Sequence, residues 1–224
     1  MTDKQRKLID VSHVVEHGMI TYKGLPAPII CDFLSREASK DIYEEGTSFQ
    51  IGRIDMVANT GTYLDAPSHR YEQGRDLSEL ELSRLANLDG VVIPVGAGVR
   101  EITPAFFAGA EVRGRAVLIR TDWSDHWATD RYFEDHPYLN KAAAEYLRDN
   151  GAILVGIDSH NIDDTRGASR PVHSILLGAD IPIVEHMTRL RDLPETGFRF
   201  FAVPVKVKGM GTFPVRAFGL VENS

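Results

Sequence analysis

The sequence predicts a mixed α/β fold, and three observations support that class. Continuously apolar runs at 91–95, 116–120 and 152–157 are typical of strands covered on both faces of a sheet. The segment 140–150 is rich in helix formers, and Gly151 is placed to end it. This predicted helix leads directly into the third apolar run, as in an α/β connection. The first 60 residues lack such alternation, so a mixed sheet is expected and not a regular doubly wound one.

The remaining predicted elements are shorter. A helix is expected at 103–110, because a threonine that can cap it is followed by a proline at the first helical position. The runs 198–207 and 215–221 alternate between apolar and polar residues as half-buried strands do. The segment 208–212 between them predicts a hairpin connection. Charged residues at 72–84 are typical of the exposed face of a helix.

The composition is that of a folded globular protein, with 43% hydrophobic and 25% charged residues among 224. The formal net charge is −7, and the densest basic cluster is Lys4, Arg6 and Lys7, so no nucleic-acid partner is expected. Neither a GxGxxG nor a P-loop motif supports nucleotide binding. No repeat or linker divides the chain, so one domain over residues 1–224 is expected.

The sequence favours a cytoplasmic protein. Cys31 is the only cysteine, which excludes an intrachain disulfide. The segment 1–15 has no apolar core of the kind found in signal peptides. The longest apolar runs, such as 152–157, are too short to span a bilayer, so no membrane partner is expected.

Residues 59–69 form the first candidate site segment and read NTGTYLDAPSH. Small residues before Asp65 permit close backbone approach, and Pro67 excludes a regular helix. Asp65 and His69 are therefore expected to flank a rigid turn. A carboxylate and an imidazole on a stiff backbone are suitable donors for a divalent metal ion. A structural role also fits the pattern, with Asp65 capping the turn and His69 buried in the core.

The second candidate segment lies at 171–186. His173 precedes an apolar triplet and is expected to begin a short helix. Glu185 follows the apolar run 181–184, where a charge is not expected unless it is paired, bound to a metal or at the end of a strand. Each residue taken alone also fits a structural role.

Together the two segments resemble the cyclase family of metal-dependent hydrolases, which includes bacterial kynurenine formamidase and isatin hydrolase. The family hallmark has the form HxGTHxDxPxH, and the chain matches it at Gly61, Thr62, Asp65, Pro67 and His69. The resemblance extends over most of the chain. Further matches are Asp10-Val-Ser-His13, Thr121-Asp-Trp123, His136-Pro137, Gly156-Ile-Asp158, Pro171-Val-His173, Leu176-Leu177, Glu185 and Pro214-Val-Arg-Ala217.

The resemblance implies a swivelling β/β/α domain, with a mixed sheet and flanking helices, and a site for zinc or manganese. The positions that match the family's metal ligands are Asp65, His69, His173 and Glu185. Among these, Asp65 and His69 are also expected to be catalytic. Asn59 and Tyr63 stand where the family places its first two ligand histidines, and neither is a good ligand for a divalent metal. Both are expected to bind the substrate instead.

Two more residues are expected to bind the substrate. His160 follows a predicted strand end, where α/β proteins often place functional side chains. Trp123 belongs to an aromatic cluster at 123–138, which suits either a cover over an apolar substrate or a subunit contact. The resemblance also implies a homodimer or homotetramer.

The leading hypothesis is hydrolysis of a carbon–nitrogen bond in a small amide, formamide or lactam by metal-activated water, an arylformamidase-like reaction. His69 would move the proton, because an imidazole commonly titrates near neutral pH. One alternative is a metal-free lyase, dehydratase or cyclase that uses His69 as general base. The other is a family member that binds a ligand without turnover.

Overall fold

A computed structural model describes residues 6–222, and Lys4 of the predicted basic cluster lies outside them. The strands are β1 (Arg6–Asp10), β2 (Ile29–Leu34), β3 (Ile51–Asp55), β4 (Tyr63–Asp65), β5 (Leu88–Pro94), β6 (Glu101–Ile102), β7 (Arg115–Arg120), β8 (Tyr138–Leu139), β9 (Leu154–Ile157), β10 (Ile183–Glu185), β11 (Phe198–Phe201), β12 (Thr212–Pro214) and β13 (Phe218–Glu222). The α-helices are α1 (Arg36–Ser39), α2 (Lys141–Asp149) and α3 (Pro171–Gly178). Short 3₁₀ helices lie at Pro67–His69, Leu82–Arg84, Pro104–Phe107, Trp123–His126, Asp130–Phe133 and Leu190–Asp192.

Nine strands within residues 6–222 form one mixed sheet, in the order β1-β13-β11-β5-β7-β9-β10-β4-β12. The central strands β5, β7, β9 and β10 are parallel, and the strands on either side of them are antiparallel to their neighbours. The sheet curves into a half-barrel. Two short pairs lie apart from it, β2 with β3 and β6 with β8. The predicted mixed sheet is confirmed, but the fold is mainly β with few helices; the swivelling β/β/α arrangement stays a prediction.

The core lies on both faces of the central strands, as their continuous apolar runs predict. In β7, Ala116 and Leu118 belong to one apolar cluster, and Val117 and Ile119 belong to the other. This division follows from the alternation of side chains along a strand. Helices α2 and α3 cover the second cluster. Full burial of a leucine-sized side chain stabilises the fold by roughly 1.5–3 kcal/mol, so these faces fix the position of α3.

The predicted helix at 140–150 is confirmed as α2. The side chain of Asn140 accepts the backbone N–H of Ala143 at 2.9 Å and so caps the first turn. The predicted helix at 103–110 is a single 3₁₀ turn, Pro104–Phe107. Within residues 6–222 no helix combines the length and the apolar character needed to cross a membrane.

Two local predictions are wrong. Strands β11 and β13 do pair antiparallel, but the segment 208–212 is not a hairpin between them. Instead the chain crosses to the far edge of the sheet, where β12 pairs with β4. The segment 72–84 forms turns and one 3₁₀ helix, Leu82–Arg84, in place of the predicted helix.

Candidate metal centre and active site

The site is assembled where β4 meets β10. Their antiparallel register places Tyr63 opposite Glu185 and Asp65 opposite Ile183. Directly after β4, Pro67 begins a 3₁₀ helix that ends at His69. As a result, Nδ1 of His69 lies 3.8 Å from Oδ1 of Asp65. The rigid turn expected from the sequence is this 3₁₀ turn.

His173 reaches the same point from the first turn of α3. Its Nε2 lies 3.6 Å from Oδ2 of Asp65 and 3.8 Å from Oε1 of Glu185. Its Nδ1 lies 2.7 Å from Oδ2 of Asp163, which also accepts the backbone N–H of His173 at 3.0 Å. Because the oxygen of a carboxylate accepts, Nδ1 is the nitrogen that carries hydrogen in the neutral imidazole. Nε2 is then the nitrogen available to a ligand.

Three of these side chains form a cluster suited to a cation. Asp65, His69 and His173 each offer a donor atom, and these atoms lie within 4.8 Å of one another. Asp65 is fully buried, and its Oδ2 has no hydrogen-bond partner among residues 6–222. A buried carboxylate oxygen without a donor is unfavourable, and a cation beside it would remove that cost. Since carboxylate and imidazole are donors that zinc and manganese accept, the residues fit a divalent metal.

Glu185 lies beside this cluster with both oxygens already hydrogen bonded. Its Oε1 accepts the backbone N–H of Ile162 at 2.6 Å, and its Oε2 accepts the hydroxyl of Tyr63 at 2.6 Å. The side chain is fully buried, so its charge acts on its neighbours with little screening by water. Glu185 therefore adds negative charge next to the cluster, and hydrogen bonds hold both of its oxygens in place.

Burial and neighbouring charges shift the pKa values in the site. Burial alone lowers the pKa of His173, but the Glu185 carboxylate and the hydrogen bond with Asp163 outweigh it and raise the pKa above its ordinary value. Burial raises the pKa of Glu185, against the effect of the charge on His173. Burial and then the Glu185 charge raise the pKa of Tyr63 well above its ordinary value of 10.0. The Tyr63 hydroxyl therefore keeps its proton near neutral pH.

Thr212 connects His69 to Asp65. Its hydroxyl donates to Oδ1 of Asp65, and its Oγ1 lies 2.8 Å from Nδ1 of His69. A hydroxyl has only one hydrogen, so Nδ1 of His69 must be the donor in the second contact. Nε2 of His69 is then the unprotonated nitrogen, with a lone pair available to accept a proton.

A cavity of about 720 Å³ opens at this cluster. Its lining includes Tyr22, Asn59, Tyr63, His69, His173 and Glu185. Volumes of this order are typical of sites for small molecules. A small ligand in the cavity would therefore contact the two imidazoles directly.

The sequence matches the family model described as "Putative cyclase" over residues 9–164. This chain belongs to the cyclase family. It is 25% identical to a kynurenine formamidase of Bacillus anthracis over 223 residues, which cover 96% of this chain and 97% of the relative. A solved structure described as a potential metal-dependent hydrolase with cyclase activity has a TM-score of 0.80 at 27% identity, with 98% of this chain and 100% of that chain covered. Isatin hydrolase A from Labrenzia aggregata has the same fold, with a TM-score of 0.80 at 24% identity over 97% of this chain and 94% of that chain.

The cyclase fold of this chain brings together most of the residues expected to form the site. Asn59, Tyr63, His69, His173 and Glu185 all line the cavity. Asp65 is buried behind the cavity wall, in contact with both imidazoles. The early segment and the late segment therefore converge on one point.

His160 and Trp123 are not among the residues that line the cavity. The ring of His160 packs against the rings of Tyr22 and Tyr132 at centroid distances of 4.4 and 5.6 Å. Nε1 of Trp123 donates to the backbone oxygen of Tyr132 at 3.0 Å. Their expected role in substrate binding stays a prediction.

Three residues that contact the site are not predicted from the sequence. Asp163 holds His173, Thr212 holds His69, and the Tyr22 hydroxyl accepts from Nδ2 of Asn161 at 2.5 Å on the cavity wall. Asp163 follows a buried isoleucine, which is the one local sign that its carboxylate needs a partner. Thr212 and Tyr22 carry no such sign, because each is brought to the site only by tertiary structure.

Proposed function

We propose that the protein hydrolyses the carbon–nitrogen bond of a small amide, formamide or lactam with the help of a divalent metal. The observation that carries this proposal is the cluster of Asp65, His69 and His173, in which the buried Oδ2 of Asp65 has no donor among residues 6–222. The relationship to a kynurenine formamidase and to a potential metal-dependent hydrolase supports the choice of reaction.

In this proposal Asp65 and His173 hold the cation, with Glu185 beside them. A zinc or manganese ion there would supply a Lewis acid that polarises a carbonyl oxygen and makes a water molecule more acidic. Asp163 keeps Nδ1 of His173 occupied, which leaves Nε2 to face Asp65 and the cation. Asp65, His173 and Glu185 are all buried, which excludes bulk water from their metal-binding atoms.

His69 moves the proton in the proposed reaction. Its Nδ1 donates to Thr212, so Nε2 accepts a proton from the attacking water and returns it to the leaving amine. Its side chain is 34% exposed, so it can contact the substrate and exchange protons. In contrast, Asp65 is fully buried and serves as ligand and as acceptor for the Thr212 hydroxyl.

Asn59 and Tyr63 contact the substrate in this proposal and do not bind the metal. Tyr63 keeps its proton, since its pKa is raised by burial and by Glu185, and a protonated phenol is a poor ligand. Both side chains line the cavity and offer hydrogen bonds to a polar group of the substrate. We propose that they replace two ligand histidines of the family and leave a site for one metal ion.

Metal titration tests the proposal. Protein dialysed against a chelator should bind zinc or manganese by calorimetry, and the same metal should restore hydrolysis of a simple aryl formamide. Asp65→Asn should abolish both, whereas His69→Gln should retain binding and lose hydrolysis. Asp164→Asn is the matched control, because this neighbouring carboxylate pairs with Arg100 and lies outside the cluster. Hydrolysis that survives the chelator at full rate would show a metal-free reaction with His69 as base.

We further propose that the protein acts as a homo-oligomer through the hairpin formed by β2 and β3. Side chains on this hairpin are exposed although many are apolar, including Ile29, Phe33 and Ile54 at 51%, 76% and 57% exposure. An isolated two-stranded hairpin is marginally stable in water, and large exposed apolar patches are typical of contact surfaces. A second copy of the chain is the partner that this proposal requires.

A further inference from the structure

Two arginines flank the imidazoles of the cavity and are not used by the proposed reaction. Arg70 follows His69 directly, and Arg170 lies at the N-terminal cap of α3, three residues before His173. Both line the 720 Å³ cavity. Neither guanidinium lies within 4.0 Å of a carboxylate in residues 6–222. By contrast, the nearby Arg166 is paired with Asp164.

Hydrogen bonds hold both arginines beside Ser174 and the loop before α3. Oγ of Ser174 accepts from Nε of Arg70 at 3.1 Å and donates to the backbone oxygen of Arg170 at 2.8 Å. Nη1 of Arg170 donates to the backbone oxygens of Gly167 and Ser169, each at 2.7 Å. Both terminal nitrogens of Arg70 and Nη2 of Arg170 can therefore donate hydrogen bonds to a ligand.

Backbone donors at the start of α3 do not provide an alternative anion site. The N–H groups of Val172 and His173 both donate to the carboxylate of Asp163, at 2.8 and 3.0 Å. An anion in this part of the cavity would therefore meet the arginine side chains. Without them it would be repelled by Asp65 and Glu185, which are buried carboxylates close to the same cavity.

We propose that the protein selects amides whose body also carries a carboxylate, and that Arg70 and Arg170 bind this carboxylate. The guanidinium group suits the task, because it presents parallel N–H donors that match the two oxygens of a carboxylate. Leu25, Tyr22 and Pro171 supply apolar surface elsewhere on the lining, which fits a flat hydrocarbon body. This inference rests on the proposed amide hydrolysis and names the class of amide.

Matched pairs of substrates test the proposal. The probes are the three ring isomers of formamidobenzoate and the corresponding formamidobenzamides, which differ only in charge and in the group at one ring position. The metal-loaded protein should cleave at least one anionic isomer with kcat/KM about tenfold or more above its neutral partner. The KM for that isomer should rise with ionic strength, since salt screens exposed charges.

Substitution of the arginines should remove this preference. Arg70→Gln and Arg170→Gln should each lower kcat/KM for the anionic isomer about tenfold, chiefly through KM, and leave kcat/KM for the neutral isomer within about twofold. Arg166→Gln removes one positive charge from the same region and should change neither value. Equal rates for anionic and neutral partners in the unaltered protein, or a preference that survives the double substitution, would overturn the proposal.

A binding measurement separates this inference from the proposed reaction. Aminobenzoate isomers and the matching aminobenzamides resemble the product of hydrolysis and can be titrated calorimetrically without turnover. Tighter binding of an aminobenzoate that is lost in Arg70→Gln supports the anion site even if no amide is cleaved. Equal affinity for the aminobenzoates and aminobenzamides would refute the anion site even if hydrolysis is observed.

Discussion

The hydroxyl of Thr212 decides which nitrogen of His69 is basic. Thr212→Val keeps the shape of the side chain but removes the donor to Asp65 and the acceptor for Nδ1 of His69. We expect kcat for amide hydrolysis to fall about tenfold to hundredfold, because the imidazole loses its fixed tautomer. Thr212→Ser, which keeps the hydroxyl, should restore most of the rate. Equal kcat values for the valine variant and the unaltered protein would show that His69 needs no such partner.

Asp163 has the corresponding role for His173. Asp163→Asn keeps one oxygen, for the backbone N–H of Val172, but replaces the oxygen that accepts from the imidazole and the backbone N–H of His173 with an amide nitrogen. We expect the dissociation constant for zinc or manganese to rise about 10- to 100-fold, as for other outer partners of metal ligands. Calorimetric titration measures it, and Asp164→Asn should bind the metal as the unaltered protein does. An unchanged affinity in a folded Asp163→Asn protein would contradict this role.

The residues found by sequence differ in kind from those found only in the structure. Asp65 and His69 share one short turn, His173 precedes an apolar triplet, and Glu185 follows an apolar run, so local patterns and the family resemblance are sufficient to find them. Thr212 lies 147 residues from Asp65 along the chain, and no local pattern connects them. Such partners are set by strand pairing across the whole sheet.

At the scale of elements, β12 is the strand that completes the site. Ahead of it, Gly211 packs so closely against the turn after β4 that a Cβ there would lie 2.6 Å from Cα of His69. Gly211→Ala should therefore displace β12 or His69, destabilise the fold by roughly 1–3 kcal/mol and lower the hydrolysis rate. Urea unfolding and kcat/KM measure the two effects. Gly96→Ala, with open space at its Cβ, is the matched control and should change neither.

The crossing of the chain to β12 also explains why the hairpin prediction at 208–212 is wrong. The segment has the turn residues of a hairpin, but Ala66 and Leu77 donate backbone hydrogen bonds to Gly211 and Met210, at 2.7 and 2.9 Å. These long-range bonds hold the segment at the far edge of the sheet. The central strands can be predicted, because burial on both faces requires a continuous run of apolar residues within each strand.

The hairpin of β2 and β3 is expected to carry the contact between subunits. Ile30 and Ile54 lie opposite each other in the strand pair and are both exposed. Replacing both by glutamate places two charges on one apolar face and should shift the mass measured by light scattering from oligomer to monomer. Leu82→Glu is the matched control, because Leu82 is 65% exposed at a different site. A monomeric unaltered protein at micromolar concentration would contradict the proposal, as would an oligomer that withstands both substitutions.

At the scale of the whole molecule, buried neutral histidines couple the stability of the fold to pH. Burial lowers the pKa of His160 to about 3 and that of His13 to about 4. The unfolded chain protonates these imidazoles below about pH 6.5, whereas the folded protein keeps them neutral. The free energy of unfolding therefore loses their contribution as the pH falls below 6.5. Burial raises the pKa of Asp158 to about 6, so the folded protein holds this proton more tightly than the unfolded chain does. The effect on stability is opposite to that of the histidines, because the stabilisation is lost as the pH rises through 6.

A comparison with His160→Gln isolates one of these contributions, because the other titrating groups cancel in the difference. Between pH 7.5 and pH 5 the unfolded imidazole gains a proton that folded His160 does not take up, which corresponds to about 2 kcal/mol. The free energy of unfolding of the unaltered protein, measured by urea titration, should fall by that amount relative to the variant over this range. Above pH 7.5 the difference between the two proteins should be constant, because the imidazole is neutral in both states. A difference that does not change between pH 7.5 and pH 5 would show that folded His160 takes up the proton, and its buried aromatic surroundings would then have to open to admit it.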